Sequence, residues 1–401
     1  MKKVISTEKI PIKLWLDDME EGALEQAKHL ANLPFAFKHI AIMPDSHQGY
    51  GMPIGGVMAT KRVIVPNAVG VDIGCGMCAV KTSLTDIDTE TLKKIIKEIR
   101  KVIPVGKGRH KEPQDTRLLP NDGTFINLDT PICQREYNNT LLSLGTLGGG
   151  NHFIEIQKGS DGHIWIMIHS GSRNPGLKVA EHYSKLAYDL NKKWYSDTYL
   201  PNNWRDSLAF LPIDSEEGQS YLKEMQYCVD YALANRKLMM DKVIDIFKKC
   251  TEHFGIMGFQ YTDDGLINIA HNYAKMENHF GENVMVHRKG ATLASSETVG
   301  IIPGSQGSKS YIVKGLGNAE SFNSCSHGAG RKLGRKMAER TLNLEEEQKK
   351  LDDLGIIHSV RGVSDLDEAP SAYKDIETVM NNQKDLVEIL VELSPLGVVK
   401  G

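Results

Sequence analysis

The sequence predicts an α+β fold, organised as a single large layered domain over residues 1–401 with mixed β-sheets flanked by helices. Three observations predict it. Segments with strand and helix patterns are intermixed, without the regular strand–helix alternation of a doubly wound sheet. Residues 268–336 hold short apolar strands separated by glycine turns. No Pro/Gly/Ser-rich linker and no change in composition divides the chain into two parts.

Apolar periodicity gives the elements in order along the chain. Apolar residues at helical spacing predict helices over residues 20–33, 92–103, 177–194 and much of 216–249. Short apolar or alternating runs predict strands over residues 37–43, 152–156 and 163–169. Pro104 ends the second helix, and a basic loop over residues 106–113 follows it. Polar, glycine-rich segments follow the first and last of these strands, so candidate functional side chains lie at strand ends.

Composition limits what the protein binds and where it works. The chain has 401 residues, of which 40% are hydrophobic and 25% charged, and its formal net charge is −3. Because the chain is not basic overall, any contact with a polyanion must be made by local patches. Its first residues hold no apolar stretch long enough for a signal peptide, and no run of about 18 apolar residues occurs. Its six cysteines are scattered rather than arranged as a disulfide framework. We therefore expect a cytoplasmic protein that does not cross a membrane.

Candidate metal ligands are spread over four segments. Asp72 and Cys75 lie three residues apart in a tight glycine turn, where both can face one ion. His152, His169 and His271 occupy similar polar, glycine- or asparagine-containing settings. Each residue taken alone is more often structural than functional, and spacing cannot bring them together. As a set of thiolate, imidazole and carboxylate they suit Zn or Mn(II), including two ions that share the thiolate.

A further histidine has the surroundings of a nucleophile. Small residues flank His327 in the segment SCSHGAGR, so a large ligand can approach the ring, and Arg331 can hold a phosphate. A neutral imidazole can attack phosphorus and leave again, which suits a covalent intermediate. The alternative is a solvated histidine in a glycine turn. Residues 304–310 superficially suggest a Walker loop, but their spacing does not match that motif.

Together these segments closely resemble the RtcB family of RNA ligases over essentially the whole chain. The matching segments are MPDSHQGYGMPIGG from Met43, VGVDIGCGM from Val69, LGGGNHFIE from Leu147, HSGSR from His169, HNY from His271, HRKGA from His287, IIPGS from Ile301, SCSHGAGR from Ser324, EAPSAYKDI from Glu368 and VVKG from Val398. The sequence departs from some members at Ser46 and Gln306, which lie beside the site. The resemblance implies an RtcB-like α+β domain.

The resemblance also implies a role for each matching residue. Two Mn(II) ions would be held with Cys75 as the bridge, and the implied ligands are Asp72, Cys75, His152, His169 and His271. His327 would be the catalytic residue that becomes covalently bonded to GMP. The implied GTP- or GMP-binding positions are Asn151, Glu155, His271, Asn272, Pro303, Gly304, Ser305, Ser310, His327, Gly328, Ala329, Gly330, Tyr373 and Lys400. Arg173 and Arg331 would lie near RNA phosphates.

The implied activity is that of a GTP- and Mn(II)-dependent RNA ligase. It would join 2′,3′-cyclic phosphate or 3′-phosphate ends to 5′-hydroxyl ends, in RNA repair or tRNA splicing. The implied partners are RNA with those ends, GTP and an archease-type activator protein. The chain has no Lys-x-Asp-Gly motif of ordinary nucleotidyl-transferring ligases, so a different nucleophile is required.

Two other functions fit the same residues. A metal-dependent phosphodiesterase could open cyclic phosphate ends of RNA without GTP, because the same metal set would activate water. An RNA-binding module with a structural metal fits less well, since structural sites are usually closed by four Cys or His ligands at short spacing.

Overall fold

The computed structural model describes residues 1–120, 131–258 and 265–401. Its mixture of helices and strands confirms the predicted α+β class. The strands are β1 (Lys3–Ile5), β2 (Ile12–Leu14), β3 (Ala36–His47), β4 (Ile54–Thr60), β5 (Val63–Ile64), β6 (Gly76–Thr82), β7 (Phe153–Gly159), β8 (Ile164–Ser170), β9 (Leu211–Pro212), β10 (Ile256–Met257), β11 (Leu266–Ala270), β12 (Asn272–His279), β13 (Glu282–Lys289), β14 (Ala291–Leu293), β15 (Val299–Ile302), β16 (Ser310–Gly315), β17 (Ser324–Ser326) and β18 (Val387–Lys400). The helices are α1 (Glu21–Ala31), α2 (Thr89–Val102), α3 (Pro131–Arg135), α4 (Tyr137–Ser143), α5 (Arg173–Trp194), α6 (Glu216–Cys250), α7 (Arg335–Thr341), α8 (Leu344–Asp353) and α9 (Ile376–Asn381).

One mixed sheet and one antiparallel sheet organise these elements. A six-stranded sheet has the order β1-β2-β3-β4-β13-β12, in which only β2 and β3 run parallel. An eight-stranded sheet has the order β10-β6-β8-β7-β18-β16-β15, and β11 also pairs with β6. The connection from β11 to β12 passes directly from the larger sheet to the smaller one. That crossing point lies at His271, a predicted site residue.

The two sheets share a hydrophobic core cluster. Neighbouring residues of β3 point to opposite faces, as a pleated strand requires. Ile40 and Ile42 pack toward Ala27 and Leu30 of α1, on the outer face. On the inner face, one buried cluster joins residues from both sheets, namely Ala41, Met43, Val57, Ala59, Val284 and Val286 of the smaller sheet and Ile302, Tyr311, Val313 and Val387 of the larger one. The sheets are therefore held together by apolar burial, which is the dominant favourable term in folding.

The larger sheet is buried on both faces around β7 and β8. Ile164, Ile166 and Ile168 pack against the apolar stripes of α2 and α6. The alternate residues Trp165 and Met167 face a second buried cluster. Continuing this alternation puts His169 on the second face, opposite Phe153 of β7 in the register. The strand pattern thus directs the histidine to the side where the other candidate residues gather.

The four helices predicted from periodicity are confirmed as α1, α2, α5 and α6. The apolar spacing of α2 buries Leu92, Ile95, Ile96 and Ile99, and the Asp88 carboxylate caps its first turn. Strand β3 is longer than predicted and continues through the polar residues to His47, after a register irregularity against β4. Strand β7 does not alternate between buried and exposed residues as its polarity suggested, because α2 and α6 cover one face and α8 with the 356–369 segment covers the other. Within the described residues, no helix is long and apolar enough to span a membrane.

Candidate active site

The glycine turn of Asp72 and Cys75 is fixed by close backbone contacts. The Cys75 amide donates to the Asp72 carbonyl oxygen at 3.1 Å. Gly74 has φ +77°, and a Cβ atom there would lie 2.8 Å from the Cα of Val229. Only glycine combines that conformation with that approach. The turn therefore sets the thiol and the carboxylate side by side on the cavity wall.

Hydrogen bonds tie this turn to the sheet crossing at His271. The His271 amide donates to the Cys75 carbonyl oxygen at 2.8 Å. Behind the turn, the fully buried Arg236 donates to the carbonyl oxygens of Gly74 at 2.9 Å and Ser170 at 2.8 Å. Its guanidinium thereby links the turn to the end of β8. The two segments that supply Cys75 and His169 cannot move apart without breaking these buried bonds.

Backbone carbonyls orient the two histidines of the larger sheet. His152 Nδ1 lies 2.9 Å from the Leu147 carbonyl oxygen, and His169 Nδ1 lies 3.1 Å from the Asn151 carbonyl oxygen. A carbonyl can only accept, so each ring must carry its proton on Nδ1 in these bonds. Each Nε2 then keeps a free lone pair and faces the Cys75 side chain. This is the usual arrangement of metal-ligating histidines.

The ligand atoms of this group have the spacing of a metal site. Cys75 Sγ lies 3.3 Å from His169 Nε2 and 3.5 Å from His152 Nε2. His152 Nε2 lies 3.1 Å from an Asp72 carboxylate oxygen. A tetrahedral ion with bonds of about 2.0–2.3 Å separates its ligand atoms by about 3.3–3.8 Å. Cys75, His152 and His169 are all buried and can hold a metal ion together.

Burial sets the protonation of His169 and His271. It lowers the pKa of His169 well below its ordinary value, and the neighbouring His152 and His327 act in the same direction. Burial also lowers the pKa of His271 well below its ordinary value, with His327 and His169 contributing. Both rings are therefore neutral near pH 7 and can act as ligands.

His271 connects this group to His327. Its ring centroid lies 5.2 Å from that of His169 and 4.8 Å from that of His327. The structure thus brings together all five predicted metal ligands and the predicted nucleophile, from segments separated by up to 255 positions in the chain (327 − 72).

Asp45 orients His327, a relationship that the sequence analysis missed. One carboxylate oxygen of Asp45 lies 2.6 Å from His327 Nδ1 and also accepts the backbone amides of His327 at 3.0 Å and Gly328 at 3.3 Å. Burial acts to raise the pKa of Asp45, but the charge and hydrogen bond of His327 outweigh it, so this pKa is lowered. An ionised Asp45 accepts the Nδ1 proton. Nε2 is the nitrogen left free for chemistry.

A cavity of about 620 Å³ opens in front of His327 and the metal-ligand group. Its walls include most of the predicted nucleotide positions, which are Asn151, Glu155, His271, Asn272, Pro303, Gly304, Ser305, Gly328, Ala329, Gly330, Tyr373 and Lys400. Gly330 has φ +74°, and a Cβ atom there would lie 2.0 Å from the Asp45 carbonyl oxygen, so the wall must be glycine at this point. Ser310 does not line the cavity. Its hydroxyl instead accepts the Gly304 amide at 3.1 Å and supports the 304–305 loop from behind.

A buried acidic centre organises the far end of this cavity. Glu368 accepts Lys400 Nζ at 2.9 Å and Arg331 at 3.0 Å, and Tyr373 donates its hydroxyl to the same carboxylate. Burial acts to raise the pKa of Glu368, yet Lys400 and the Tyr373 hydrogen bond lower it. The matching segment EAPSAYKDI contains Glu368 and Tyr373, but Arg331 and Lys400 lie more than 30 positions away, so the pattern alone could not assign this role.

Glu155 is a second buried carboxylate of the cavity. Burial raises its pKa to about 8, against the opposing effects of Gln157 and Lys400. Lys400 lies opposite Phe153 in the register of β18 and β7, with its ammonium 5.6 Å from the Phe153 ring centroid. The C-terminal end of β18 is therefore packed into the cavity wall.

The two predicted phosphate-binding arginines lie in different places. Arg173 begins α5 and lines a second cavity of about 540 Å³ with Lys107, Arg109 and Asn174. Arg331 lines the first cavity, where it is 15% exposed and bonded to Glu368 and to the carbonyl oxygens of Asp367 and Leu333. The two cavities meet at Asp72 and Asn151.

One deep cavity contains two features of a metal-dependent enzyme. The first is a buried Cys/His group that can hold a metal, and the second is a histidine oriented by a carboxylate, His327. The protein is therefore an α+β protein with the features of a metal-dependent enzyme. The family model described as tRNA-splicing ligase RtcB matches residues 26–122 and 111–401. The chain belongs to the RtcB family of RNA ligases, and the resemblance predicted from its motifs is confirmed.

Relatives named RtcB match this chain over nearly their full length. The chain is 38% identical to RNA-splicing ligase RtcB of Escherichia coli, over 100% of this chain and 99% of the relative. It is 33% identical to tRNA-splicing ligase RtcB of Methanococcus maripaludis and 32% identical to that of Thermococcus kodakarensis, in both cases over 98% of this chain and 95% of the relative.

Proposed function

We propose that the protein is a GTP- and Mn(II)-dependent RNA ligase that joins 2′,3′-cyclic phosphate or 3′-phosphate ends to 5′-hydroxyl ends through a guanylylated His327. The observation on which this rests is the pairing of His327 Nδ1 with Asp45 at 2.6 Å, which leaves Nε2 free beside the metal-ligand group. The names of the relatives support RNA as the substrate.

Two Mn(II) ions are proposed to bind at Asp72, Cys75, His152, His169 and His271, with the Cys75 thiolate shared. The donor set supports this choice, because thiolate and imidazole bind borderline divalent metals and a carboxylate extends the preference toward manganese. Spacings of 3.1–3.5 Å between the ligand atoms support it as well. When bound, the metal would neutralise phosphate charge and act as a Lewis acid.

The proposed chemistry passes through His327. Its Nε2 forms a bond to the α-phosphorus of GTP while the bond to pyrophosphate breaks. An oxygen of the RNA 3′-phosphate then attacks the same phosphorus, and the N–P bond breaks. The Asp45 carboxylate stabilises the ring while it carries the phosphoryl group, as the aspartate beside the histidine of a catalytic triad does. Finally, the 5′-hydroxyl oxygen attacks the RNA phosphate, GMP leaves, and a phosphodiester remains. Water would first open a cyclic phosphate.

The cavity walls support a guanine nucleotide as the activating group. Glu155 and Lys400 together offer an acceptor for the guanine N–H groups and a donor for its carbonyl oxygen, which adenine lacks. The 303–305 and 328–330 loops and the side chains of Asn151, Asn272 and Tyr373, which line the cavity, are proposed to hold the rest of the nucleotide. Ser310 would act indirectly, through the loop that it supports.

RNA phosphates are proposed to follow the second cavity. Arg173, Lys107 and Arg109 line it, and they supply the local positive charge that a chain of net charge −3 must use for a polyanion. Arg331 remains a predicted phosphate contact, although Glu368 already holds its guanidinium.

Guanylylation of His327 tests this proposal directly. The protein is incubated with GTP labelled at the α-phosphate, with and without Mn(II), and analysed by denaturing electrophoresis. We expect an acid-labile label that requires Mn(II) and disappears in His327→Ala. The matched control is His182→Ala, an exposed histidine of α5 outside both cavities, which should keep the label.

Two results would argue against the proposal. Undiminished labelling of His327→Ala, with unchanged circular dichroism, would eliminate the nucleophile. Opening of a cyclic phosphate RNA by the wild-type protein with Mn(II), in the absence of any GTP label, would instead favour the phosphodiesterase alternative.

A further inference from the structure

One part of the large cavity is not accounted for by the nucleotide, the metal or His327. Here the wall consists of residues 49–50, the first half of α5 and the segment around Trp204. We call this part the aromatic arm, and its principal lining residues are Tyr50, Val71, Leu177, Trp204 and Lys289.

Large apolar side chains of the aromatic arm face the opening. Tyr50 is 57% exposed, Val71 46% and Leu177 37%. Scattered apolar residues are normal on protein surfaces, whereas a group of them at the mouth of a ligand cavity indicates a binding surface. All of them line the same cavity as His327.

A polar scaffold holds both aromatic residues in place. The buried Lys289 donates to the backbone carbonyl oxygens of Tyr50 and Asn67, the latter at 3.0 Å. Asn67 in turn donates to the carbonyl oxygen of Trp204 at 2.9 Å. Because Lys289 and Asn67 connect them, the backbones at Tyr50 and Trp204 are held in place relative to each other.

The scaffold also sets the arm against the reacting group. Lys289 is followed by Gly290, whose ideal Cβ position lies 3.1 Å from the His327 ring. On the Trp204 side, the Arg205 guanidinium lies 4.9 Å from the indole centroid and reaches Glu181 of α5 at 3.3 Å. The arm is thus a stacking surface, with the Arg205–Glu181 ion pair beside its indole, and it is continuous with the catalytic cavity.

We infer that the aromatic arm binds the base of the RNA nucleotide at the junction, stacked on Tyr50 and Trp204. This inference rests on the proposed function and deepens it by naming what positions the RNA end. The exposed Tyr50 ring and the half-buried Trp204 ring with Arg205 over it are features by which proteins hold single-stranded bases. Stacking on a ring face accepts every base, because each has a π-face. The arm therefore holds the RNA end near His327 without selecting its sequence.

The direct test is equilibrium binding of short labelled RNAs to the wild-type protein with Mn(II). One RNA ends in a 3′-phosphate and another begins with a 5′-hydroxyl, and each is also made with an abasic terminal nucleotide. For at least one of the two ends, we expect loss of the base to weaken binding by about 5- to 100-fold. The end that shows this loss is the one whose base occupies the arm.

Four variants locate the effect. Tyr50→Ala and Trp204→Ala should weaken binding of the intact RNA and show little further loss with the abasic RNA, whereas Tyr50→Phe should bind like the wild type because it keeps the ring. The matched control is Tyr195→Ala, which removes a tyrosine that is 94% exposed and outside the cavity, and it should also bind like the wild type. Circular dichroism checks that each variant is folded.

The outcomes separate this inference from the function on which it rests. Wild-type binding that is equal for intact and abasic RNA at both ends would overturn the aromatic arm as a base site and leave the ligase proposal standing. An effect of Tyr195→Ala as large as that of Tyr50→Ala would also overturn it. Absence of any RNA binding, together with absence of guanylylation, would overturn both.

Discussion

At the scale of single residues, His152, His169 and His327 are each oriented by a hydrogen bond at ring nitrogen Nδ1. Carbonyl oxygens hold Nδ1 of His152 and His169, whereas a buried carboxylate holds Nδ1 of His327. A carbonyl fixes a neutral ring with a free Nε2 lone pair, which suits a metal ligand. A carboxylate can also stabilise positive charge on the ring, which suits a nitrogen that forms a covalent bond. The partner of Nδ1 thus distinguishes the two proposed roles.

The two thiols of the same segment give a residue-scale prediction about metal. Cys75 faces two imidazoles at 3.3 and 3.5 Å, whereas Cys78 is buried among aliphatic residues of the α6 side. We expect Cys75→Ser to lower the bound manganese sharply, because a hydroxyl does not replace a thiolate as a bridging ligand. Cys78→Ser is the matched control and should keep its metal. Elemental analysis after gel filtration measures both variants, and equal metal content in the two would contradict the assignment of Cys75.

Sequence chemistry indicated the proposed metal ligands and nucleophile more readily than the groups that orient them. Cys75, His169 and His327 stand out because their types and glycine-rich neighbours suggest a ligand or nucleophile. Asp45 lies 282 positions from His327, and its role depends on a strand that continues through polar residues to His47. Nothing in its local pattern separates it from a turn aspartate. Contacts of this kind are set by tertiary packing, which a single sequence does not display.

At the scale of elements, β12 and β13 form a hairpin whose two strands are linked by one buried ion pair, while β13 joins the rest of the sheet through β4. Arg288 is fully buried, and it donates to Glu277 at 3.0 Å and to the Phe322 carbonyl oxygen at 2.9 Å. The next residue after Arg288 is Lys289 of the aromatic arm, and Asn272 at the start of β12 bonds the Gly290 amide at 2.7 Å. The hairpin therefore positions cavity residues from a rigid element.

Removing Glu277 should destabilise the protein in a pH-dependent way. Burial acts to raise the Glu277 pKa, but His279 and Arg288 lower it to about 2. A carboxyl group whose pKa is lower in the folded state stabilises the fold above its unfolded pKa of about 4.5, and this contribution is lost as pH falls through about 2. At pH 7, Glu277→Gln should cost about 3–5 kcal/mol, because Arg288 is left buried without a counter-charge.

Urea denaturation at pH 7, 5, 4 and 3 measures this effect. The difference in the free energy of unfolding between the wild type and Glu277→Gln should be constant at pH 7 and 5 and should shrink at pH 4 and 3. The control is Glu282→Gln in the same hairpin, because Glu282 pairs with Lys61 where both side chains are about half exposed. That change should cost less than about 1 kcal/mol. A cost for Glu277→Gln no larger than the control would show that the buried pair does not hold the hairpin.

At the scale of the whole molecule, the site lies where two sheets meet. The larger sheet supplies His169 and Lys400, the smaller sheet supplies Asp45 and Lys289, and the crossing between β11 and β12 supplies His271. The observed helices and strands confirm the predicted α+β class. This class could be predicted because it follows from local periodicity. The order of strands in each sheet was not predicted, since β18 pairs with β7 and β16 across more than 70 residues of chain and such pairing leaves no local pattern.

The shared core predicts that residues 1–401 unfold as one cooperative unit. Val286 of β13 and Val313 of β16 come from different sheets but lie in the same buried cluster. Hydrogen exchange followed by mass spectrometry at increasing urea concentrations should therefore show peptides of β3 and β8 losing protection at one common midpoint. Val286→Ala and Val313→Ala should each lower that midpoint for both sheets, with a loss of about 1–3 kcal/mol in the free energy of unfolding. Val363→Ala is the control, because Val363 is 57% exposed, and it should shift neither. If Val286→Ala lowered the midpoint of the β3 peptides while the β8 peptides kept theirs, the two sheets would be separate folding units, and the single-domain prediction would be wrong.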